Sequence, residues 1–257
     1  MSAFTKWAAS SHAGMVRPIN EDSAYAGRWL YAVADGLGGH AAGEVASAAV
    51  ITALSGYDVP APAERLVEIL GRAVREASTA IRQRTEADPA LRTMGTTLTA
   101  MLWSGHTFAL AHIGDSRAYL LRTGQLRQLT EDHALHNLVA GAATSPVLAP
   151  IMSRYLDGRP ERSPDLALRQ AQPGDRYLLC SDGLNAVVPD SRIREVLGSA
   201  DAPTSIVERL IALAVGLGGP DNITVTLIDV TAQPQESTLP PLMLGAAAVP
   251  QETVGRT

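Results

Sequence analysis

The chain has 257 residues, of which 46% are apolar and 18% are charged. It is therefore long enough for one large domain or two small ones, and too poor in charge for a disordered protein. Its net charge of −5 and the absence of a basic run exclude nucleic acid as an expected partner, because phosphate backbones are bound by clustered Lys and Arg.

The single cysteine, Cys180, excludes an internal disulfide and is typical of a reducing compartment, which predicts a cytoplasmic location. Phosphatases that use a cysteine nucleophile need an arginine five residues later, and Asn185 stands there. We therefore interpret Cys180 as a buried strand residue. No segment approaches the ~18 uninterrupted apolar residues of a membrane span, and the N-terminus lacks the apolar stretch of a signal peptide.

The first half of the chain predicts a strand followed by two helices. The apolar run Trp29–Ala34 is a buried strand that ends at Asp35. The segment Glu44–Leu54 is rich in Ala and Val and predicts a helix, and Pro62 begins a longer one that ends before Pro89. Apolar residues of this longer helix recur at steps of three and four and form one face: Leu66, Ile69, Leu70, Ala73, Val74, Ala77, Ala80 and Ile81.

The middle of the chain predicts antiparallel hairpins, because short β-branched runs alternate with Gly-containing turns. The predicted strands are Thr96–Trp103, Thr107–Ile113, Arg117–Arg122 and Leu126–Leu129. A short helix is predicted at His133–Ala140. The Pro- and Gly-rich stretch Gly141–Pro164 predicts a long loop, and loops of this length are often functional.

The last part predicts three strands and two helices, and then a change of composition. The strands are Leu166–Leu168, Arg176–Cys180 and Asn222–Val230, and the helices are Ser191–Leu197 and Thr204–Val215. Clustered strands with intervening helices favour the α+β class with mostly antiparallel sheets. From residue 233 the chain becomes rich in Pro, Gln and Ala, so we expect a domain at 1–232 and a disordered tail or linker at 233–257.

Acidic residues stand at the mouths of several apolar strands. Asp35, Asp115, Asp182 and Asp221 each adjoin a Gly or an Asn, and the pair Glu21-Asp22 adds a fifth such site. A single Asp-Gly pair is more often an ordinary turn. Five sites in one context instead indicate a carboxylate cluster, which hard divalent cations prefer and which would repel itself without them.

The chain resembles the type 2C family of metal-dependent protein phosphatases, the PPM superfamily, and its bacterial branch in particular. The matching stretches follow the family's order and cover about residues 7 to 230: SHAGMVRPINEDS (11–23), VADGLGGHAAGEVAS (33–47), MGTTLTA (94–100), IGDSRAYLL (113–121), LTEDH (129–133), LLCSDGL (178–184) and GGPDNITV (218–225). The resemblance implies a sandwich of two mostly antiparallel β-sheets flanked by helices, with the metals in a cleft at one edge.

The resemblance also implies roles for single residues. Asp35 would bridge two Mn²⁺ or Mg²⁺ ions, with the carbonyl of Gly36 on one of them. Asp182 and Asp221 would complete the first ion's shell, and Asp115 with Asp182 matches a third ion of bacterial members. Further implied roles are water ligands held by Glu21 and Asp22, and a substrate phosphate held by the planar donors of Arg17.

The implied reaction is hydrolysis of phosphoserine and phosphothreonine on proteins by direct attack of a water shared between the two ions. Many eukaryotic members carry a histidine directly after the Asp-Gly as a proposed general acid, whereas Leu37 stands here. His40 is then a candidate proton donor, and the alternative is that it only starts a helix or makes a hydrogen bond. A metal-bound water could protonate the leaving group instead. The loop sequence Ser153–Gly158 matches the bacterial Thr-Arg-x-Leu-Gly pattern only in part, which leaves substrate identity open.

Three functions are compatible with this pattern. The first is an active Ser/Thr phosphatase that reverses bacterial kinase signalling, with phosphoproteins and a Ser/Thr kinase as partners. The second is a regulatory pseudo-phosphatase that binds phosphoproteins without turnover, and the presence of Asp35, Asp182 and Asp221 counts against it. The third is a metallohydrolase of nucleotides or small phosphate esters, and the lack of base-stacking aromatic residues near the motifs weighs against it.

Overall fold

A computed structural model describes residues 3–38, 42–134, 152–235 and 239–248. The strands in chain order are β1 (Ala3–His12), β2 (Ser23–Ala26), β3 (Leu30–Ala34), β4 (Gly36–Leu37), β5 (Gly95–Thr96), β6 (Leu98–Ser104), β7 (Thr107–Ile113), β8 (Arg117–Arg122), β9 (Gln125–Gln128), β10 (Asp165–Gln170), β11 (Arg176–Cys180), β12 (Ile223–Gln235) and β13 (Leu242–Gly245). The helices are α1 (Ala42–Ser55), α2 (Leu66–Ala87), α3 (Asp182–Asn185), α4 (Asp190–Leu197) and α5 (Pro203–Gly216).

Two antiparallel sheets form the centre of the molecule. Within the described ranges, one sheet has five strands in the order β1-β12-β11-β8-β9 and the other has six in the order β10-β7-β6-β3-β2-β13. The strands β4 and β5 form a separate short ladder. The predicted α+β sandwich is confirmed.

Alternate side chains of each strand enter different apolar layers. In β3, Tyr31 and Val33 pack between the two sheets, whereas Leu30, Ala32 and Ala34 pack under α1 and α2. The helices α3, α4 and α5 cover the outer face of the five-stranded sheet in the same way. Because both faces of these strands are buried, they have nearly continuous apolar sequences.

The predicted amphipathic helix is present as α2. Its buried positions follow the predicted face, with Ala80 alone of that set left partly exposed. The helix starts four residues after Pro62, which precedes a short 3-10 turn at Ala63–Arg65. Burial of this face against the six-stranded sheet stabilises the helix far more than its intrinsic propensity does.

The end of the chain differs from the sequence prediction of a disordered tail at 233–257. The strand β12 continues to Gln235, and β13 pairs antiparallel with β2, so that Leu242 lies opposite Ala26 and Gly245 opposite Ser23. Ala247 is 7% exposed in the core. Four residues without visible periodicity form a strand here because the edge of β2, more than two hundred residues away, supplies their hydrogen-bond partners.

Two other predictions fall partly outside the described residues. The helix expected at His133–Ala140 and the loop expected at Gly141–Pro164 include residues 135–151, which lie outside them. From Met152 to Pro164 the chain forms only turns and isolated bridges, as predicted for a loop. No helix within the described ranges is long and apolar enough to span a membrane.

Asp175 gives a stability prediction. Its side chain is 2% exposed and accepts hydrogen bonds from Nε and Nη2 of Arg122, both at 2.6 Å, and from the Gln172 N–H at 2.7 Å. Burial by itself would raise the pKa of Asp175, but these donors lower it below its ordinary value. Asp175→Asn should therefore lower the free energy of unfolding at pH 7 by about 1–3 kcal/mol.

The difference between wild type and Asp175→Asn should shrink as the pH falls. A carboxylate with a lowered folded-state pKa stabilises the fold above the unfolded pKa of ~3.9 and loses that effect as the pH drops through the folded value. Urea unfolding at pH 7 and at pH 3 measures this, with the exposed Asp201→Asn as control. An equal difference at both pH values would contradict the assignment.

Candidate metal centre

Strand register places two of the acidic residues side by side. The strands β2 and β3 are antiparallel, with Ser23 opposite Ala34. Asp22 directly precedes β2 and Asp35 directly follows β3. Both carboxylates therefore lie at the same end of the paired strands β2 and β3 of the six-stranded sheet.

The five-stranded sheet contributes the other acidic residues at this edge. Cys180 of β11 lies opposite Val225 of β12, so Asp182, after β11, and Asp221, before β12, meet at one end of these strands. Asp115 lies in the turn that joins β7 of one sheet to β8 of the other. The sandwich thus delivers carboxylates from both of its sheets to one cleft.

The charges of these residues act on one another. The pKa of Asp35 is raised well above its ordinary value, first by burial and then by the charges of Asp22, Asp182, Asp115 and Asp221. Burial and the charge of Asp182 raise the pKa of Asp115 to about 7. Such mutual repulsion costs folding energy unless a proton or a cation is present.

Asp35 and Asp182 act directly on each other. Burial raises the pKa of Asp182, the charge of Asp221 adds to this, and a side-chain hydrogen bond with Asp35 acts in the opposite direction. A hydrogen bond between two carboxyl groups requires a proton on one of them. The same position suits a divalent cation, which takes oxygen ligands from several carboxylates at once.

The backbone of Asp35 is fixed from three directions. Its N–H donates to the hydroxyl of Thr97 at 2.9 Å, and its carbonyl accepts from the Thr97 N–H at 2.9 Å and from the Thr96 hydroxyl at 2.8 Å. The Thr97 hydroxyl also contacts that of Ser116 at 2.7 Å. These bonds connect the end of β3 to the turn that carries Asp115.

Asp22 is fully buried and only half satisfied. One carboxylate oxygen accepts from the hydroxyl of Ser181 at 2.7 Å, and the other has no hydrogen-bond partner among the described residues. Burial, which is the largest effect, raises the pKa of Asp22 to about 7. A buried carboxylate oxygen without a donor is rare, and it fits the predicted contact with a metal-bound water.

Gly36 and Gly43 let the chain close tightly around Glu21. A Cβ on Gly36 would lie 2.3 Å from the carbonyl oxygen of Gly43 and 2.5 Å from that of Glu21. A Cβ on Gly43 would lie 2.8 Å from Oε1 of Glu21. The family resemblance implies that the Gly36 carbonyl is a metal ligand, and the structure adds a packing reason for glycine there. Burial is the main cause that raises the pKa of Glu21.

Arg17 lies at the mouth of the cluster. Its Nη2 donates to Oδ2 of Asp221 at 2.7 Å, with the arginine side chain 50% exposed. The residue expected to hold a phosphate is therefore paired with a residue expected to hold a metal. His40, the candidate proton donor, lies outside the described residues.

Asn222 is a site residue that the sequence argument missed. Its Oδ1 accepts from the Glu21 N–H at 2.8 Å, and its Nδ2 donates to the carbonyls of Ala13 and Ile19, both at 2.9 Å. It thereby holds both ends of the loop that carries Arg17. The available signal was an Asn directly after Asp221 at the start of an apolar strand.

The structure also shows the surroundings of Cys180 and of Arg154. Cys180 is a buried strand residue, as predicted, and burial raises the pKa of its thiol to about 12, which does not suit a thiolate nucleophile. Arg154 in the divergent loop donates to Asp165 at 2.9 Å and to the Ser163 carbonyl at 2.6 Å. It is therefore anchored within its own loop.

As the side chains stand, no group of three or more His, Cys, Asp or Glu residues within the described ranges is arranged to hold a metal ion. The carboxylates lie close enough to shift each other's pKa values without surrounding a common centre. An ion at this position would compete with Arg17 for Asp221 and would offset the repulsion between Asp35 and Asp182.

Comparison with known proteins decides the family. A family model described as Protein phosphatase 2C matches residues 19–210, well over half of the chain. The chain belongs to the protein phosphatase 2C family. Among curated relatives of this family, the serine/threonine protein phosphatase PstP of Mycobacterium tuberculosis is 46% identical over 250 residues, covering 95% of this chain and 48% of that protein. The chain thus spans about half the length of PstP.

A shorter relative and a solved catalytic domain are covered over most of their length. The serine/threonine phosphatase stp of Listeria monocytogenes is 35% identical over 232 residues, which cover 84% of this chain and 92% of that protein. The solved catalytic domain of PstP, in complex with two manganese ions, superimposes with a TM-score of 0.83 at 49% identity, covering 88% of this chain and 98% of that one.

Asn222→Ala should destabilise the protein because three buried or half-buried backbone groups lose their partner. We expect a loss of about 1–3 kcal/mol in the free energy of unfolding, measured by urea titration. The exposed Gln125→Ala serves as control and should change stability by less than ~0.5 kcal/mol. Equal stability of both variants would show that Asn222 does not hold the loop.

Proposed function

We propose that this chain is a metal-dependent phosphatase that hydrolyses phosphoserine and phosphothreonine on proteins. The observation that carries the proposal is the convergence of Asp22, Asp35, Asp115, Asp182 and Asp221 from both sheets at one edge of the sandwich. The relatives named as Ser/Thr phosphatases, and the manganese ions of the PstP catalytic domain, support it.

Two Mn²⁺ or Mg²⁺ ions fit the donor set of this edge. Asp35 would contact both ions, the Gly36 carbonyl would bind one of them, and Asp182 and Asp221 would complete the first shell. Glu21 and Asp22 would hold bound waters, which gives a partner to the orphan oxygen of Asp22. Asp115 with Asp182 would take a third ion.

When bound, the ions supply an activated water and positive charge that offsets the phosphate. The chain's own residues then position the reactants. The backbone bonds of Thr96 and Thr97 hold Asp35 still. Arg17 exchanges Asp221 for two phosphate oxygens, because its planar donors suit either partner. His40 is our candidate for protonating the leaving oxygen.

We further propose the setting in which the enzyme acts. Its substrates are phosphorylated proteins and its counterpart is a Ser/Thr kinase. The free thiol of Cys180 is compatible with a reducing cytoplasm. The catalytic unit comprises residues 1–232 together with the strand at Leu242–Gly245, since that strand completes the sheet beside β2.

Asp35→Asn should abolish catalysis while leaving the fold intact. The change removes one negative charge from the position that both ions share, and we expect a fall of about 10³-fold or more in kcat. Phosphate release from a phosphothreonine peptide with Mn²⁺ measures this, with EDTA-treated wild type as the metal-free reference. Turnover near the wild-type value, or full activity in EDTA, would refute the mechanism.

Arg17→Ala should raise the KM for a phosphopeptide by about 10- to 100-fold, the value of a charge-assisted hydrogen bond pair. The half-saturating Mn²⁺ concentration should not rise, since Asp221 loses its competing partner. Arg192→Ala, another exposed ion-paired arginine, is the matched control. An unchanged KM would remove Arg17 from phosphate binding.

A further inference from the structure

A cavity of about 270 Å³ lies between α2 and the segment from Gly158 to Leu166, outside the carboxylate cluster. Apolar atoms of Val74, Pro160 and Leu166 line part of it. Such a mixture of apolar surface and a few polar groups is typical of a binding site. No role in the proposed reaction has been assigned to it.

Among the described residues, the charged groups that line the cavity all have one sign. Three of these residues are arginines, Arg75, Arg82 and Arg162, and none is a carboxylate, although the chain as a whole has a net charge of −5. Within the described residues, the Arg75 guanidinium makes no ion pair or hydrogen bond. Arg82 faces Glu86 at 3.8 Å, and Arg162 faces Asp157 at 3.8 Å and donates to the Ser153 carbonyl at 2.8 Å, so Arg75 carries the free charge. The cavity is therefore suited to an anionic ligand.

Ser78 adds an available hydroxyl to this lining. The residue is 9% exposed and lies in the fourth turn of α2, lining the cavity. Its hydroxyl makes no hydrogen bond to any described residue, although helical serines commonly bond to the preceding turn. A buried hydroxyl that lines the cavity beside arginines is suited to a carboxylate oxygen.

Hydrogen bonds connect the segment that forms one wall of the cavity to the proposed active site. Leu156 and Thr96 exchange two backbone hydrogen bonds of 2.9 Å, and the Thr96 hydroxyl donates to the Asp35 carbonyl. Two residues after Leu156, Gly158 packs so closely on α2 that a Cβ would lie 2.9 Å from the Arg82 nitrogen. Two residues span at most about 7 Å, so a short path through the chain joins the cavity to the strand pair beside Asp35.

We infer that this cavity docks an acidic segment of the phosphoprotein substrate, which rests on the phosphatase activity proposed above. Carboxylates of the segment lie against Arg75 and Ser78, and its apolar atoms lie against Val74 and Leu166. The acidic residues flank the phosphothreonine in the substrate chain. The enzyme thereby prefers phosphorylation sites set in acidic sequence.

The test compares phosphothreonine peptides of equal length that carry three Glu or three Gln at the same positions, placed on either side of the phosphothreonine. With Mn²⁺ at low ionic strength, wild type should show a kcat/KM higher by roughly three- to tenfold for one of the Glu peptides. Arg75→Glu should remove this preference. Hydrolysis of para-nitrophenyl phosphate should stay unchanged.

The matched control is Arg84→Glu, which makes the same charge change on an exposed residue of α2 that does not line the cavity. It should keep the preference. Arg75→Gln, which removes the charge without reversing it, repeats the test if Arg75→Glu lowers the Tm.

Equal kcat/KM on Glu and Gln peptides in wild type would overturn the inference, and so would an equal loss in Arg84→Glu and Arg75→Glu. If para-nitrophenyl phosphate is still hydrolysed under either of these outcomes, the proposed phosphatase activity is not contradicted. Absence of all Mn²⁺-dependent hydrolysis would instead overturn the proposed activity and, with it, this inference.

Discussion

Repulsion among buried like charges is the constraint on which the arrangement of this protein depends. Asp35 lies within reach of four other carboxylates, and its pKa is raised by burial and by each of them. A fold that gathers such groups gives up stability at that edge. The three apolar layers of the sandwich have to compensate for this loss of stability. A divalent cation would replace the repulsion among the carboxylates by their attraction to the ion.

Antiparallel strand register brings these carboxylates together with few acidic residues in the sequence. Where one strand ends, its antiparallel neighbour begins. One acidic residue beside each apolar run is then enough to bring two carboxylates together. Asp22 and Asp35 are related in this way, and so are Asp182 and Asp221. Strand ends also have fixed backbones, so the carboxylates are held by the sheets and not by mobile loops.

Many of the helices, strands and acidic strand ends were predictable from the sequence, because the patterns that indicate them are local. The apolar period of α2, the run before Asp35 and the Gly-containing turns all depend on neighbouring residues in sequence. The ion pair between Arg17 and Asp221, the three contacts of Asn222 and the pairing of β13 with β2 join residues about two hundred positions apart. No pattern along the chain encodes such partners, and the sandwich itself was found through family resemblance.

The strand β13 has a consequence for solution behaviour. It covers the outer side of β2, and its neighbour Ala246 donates a backbone N–H to the Asp22 carbonyl at 2.8 Å. Without it, β2 would present a row of unpaired amides and carbonyls, which is a template for pairing with a second molecule. A truncation that ends at residue 235 should therefore promote self-association by edge-to-edge addition, next to the buried carboxylate of Asp22.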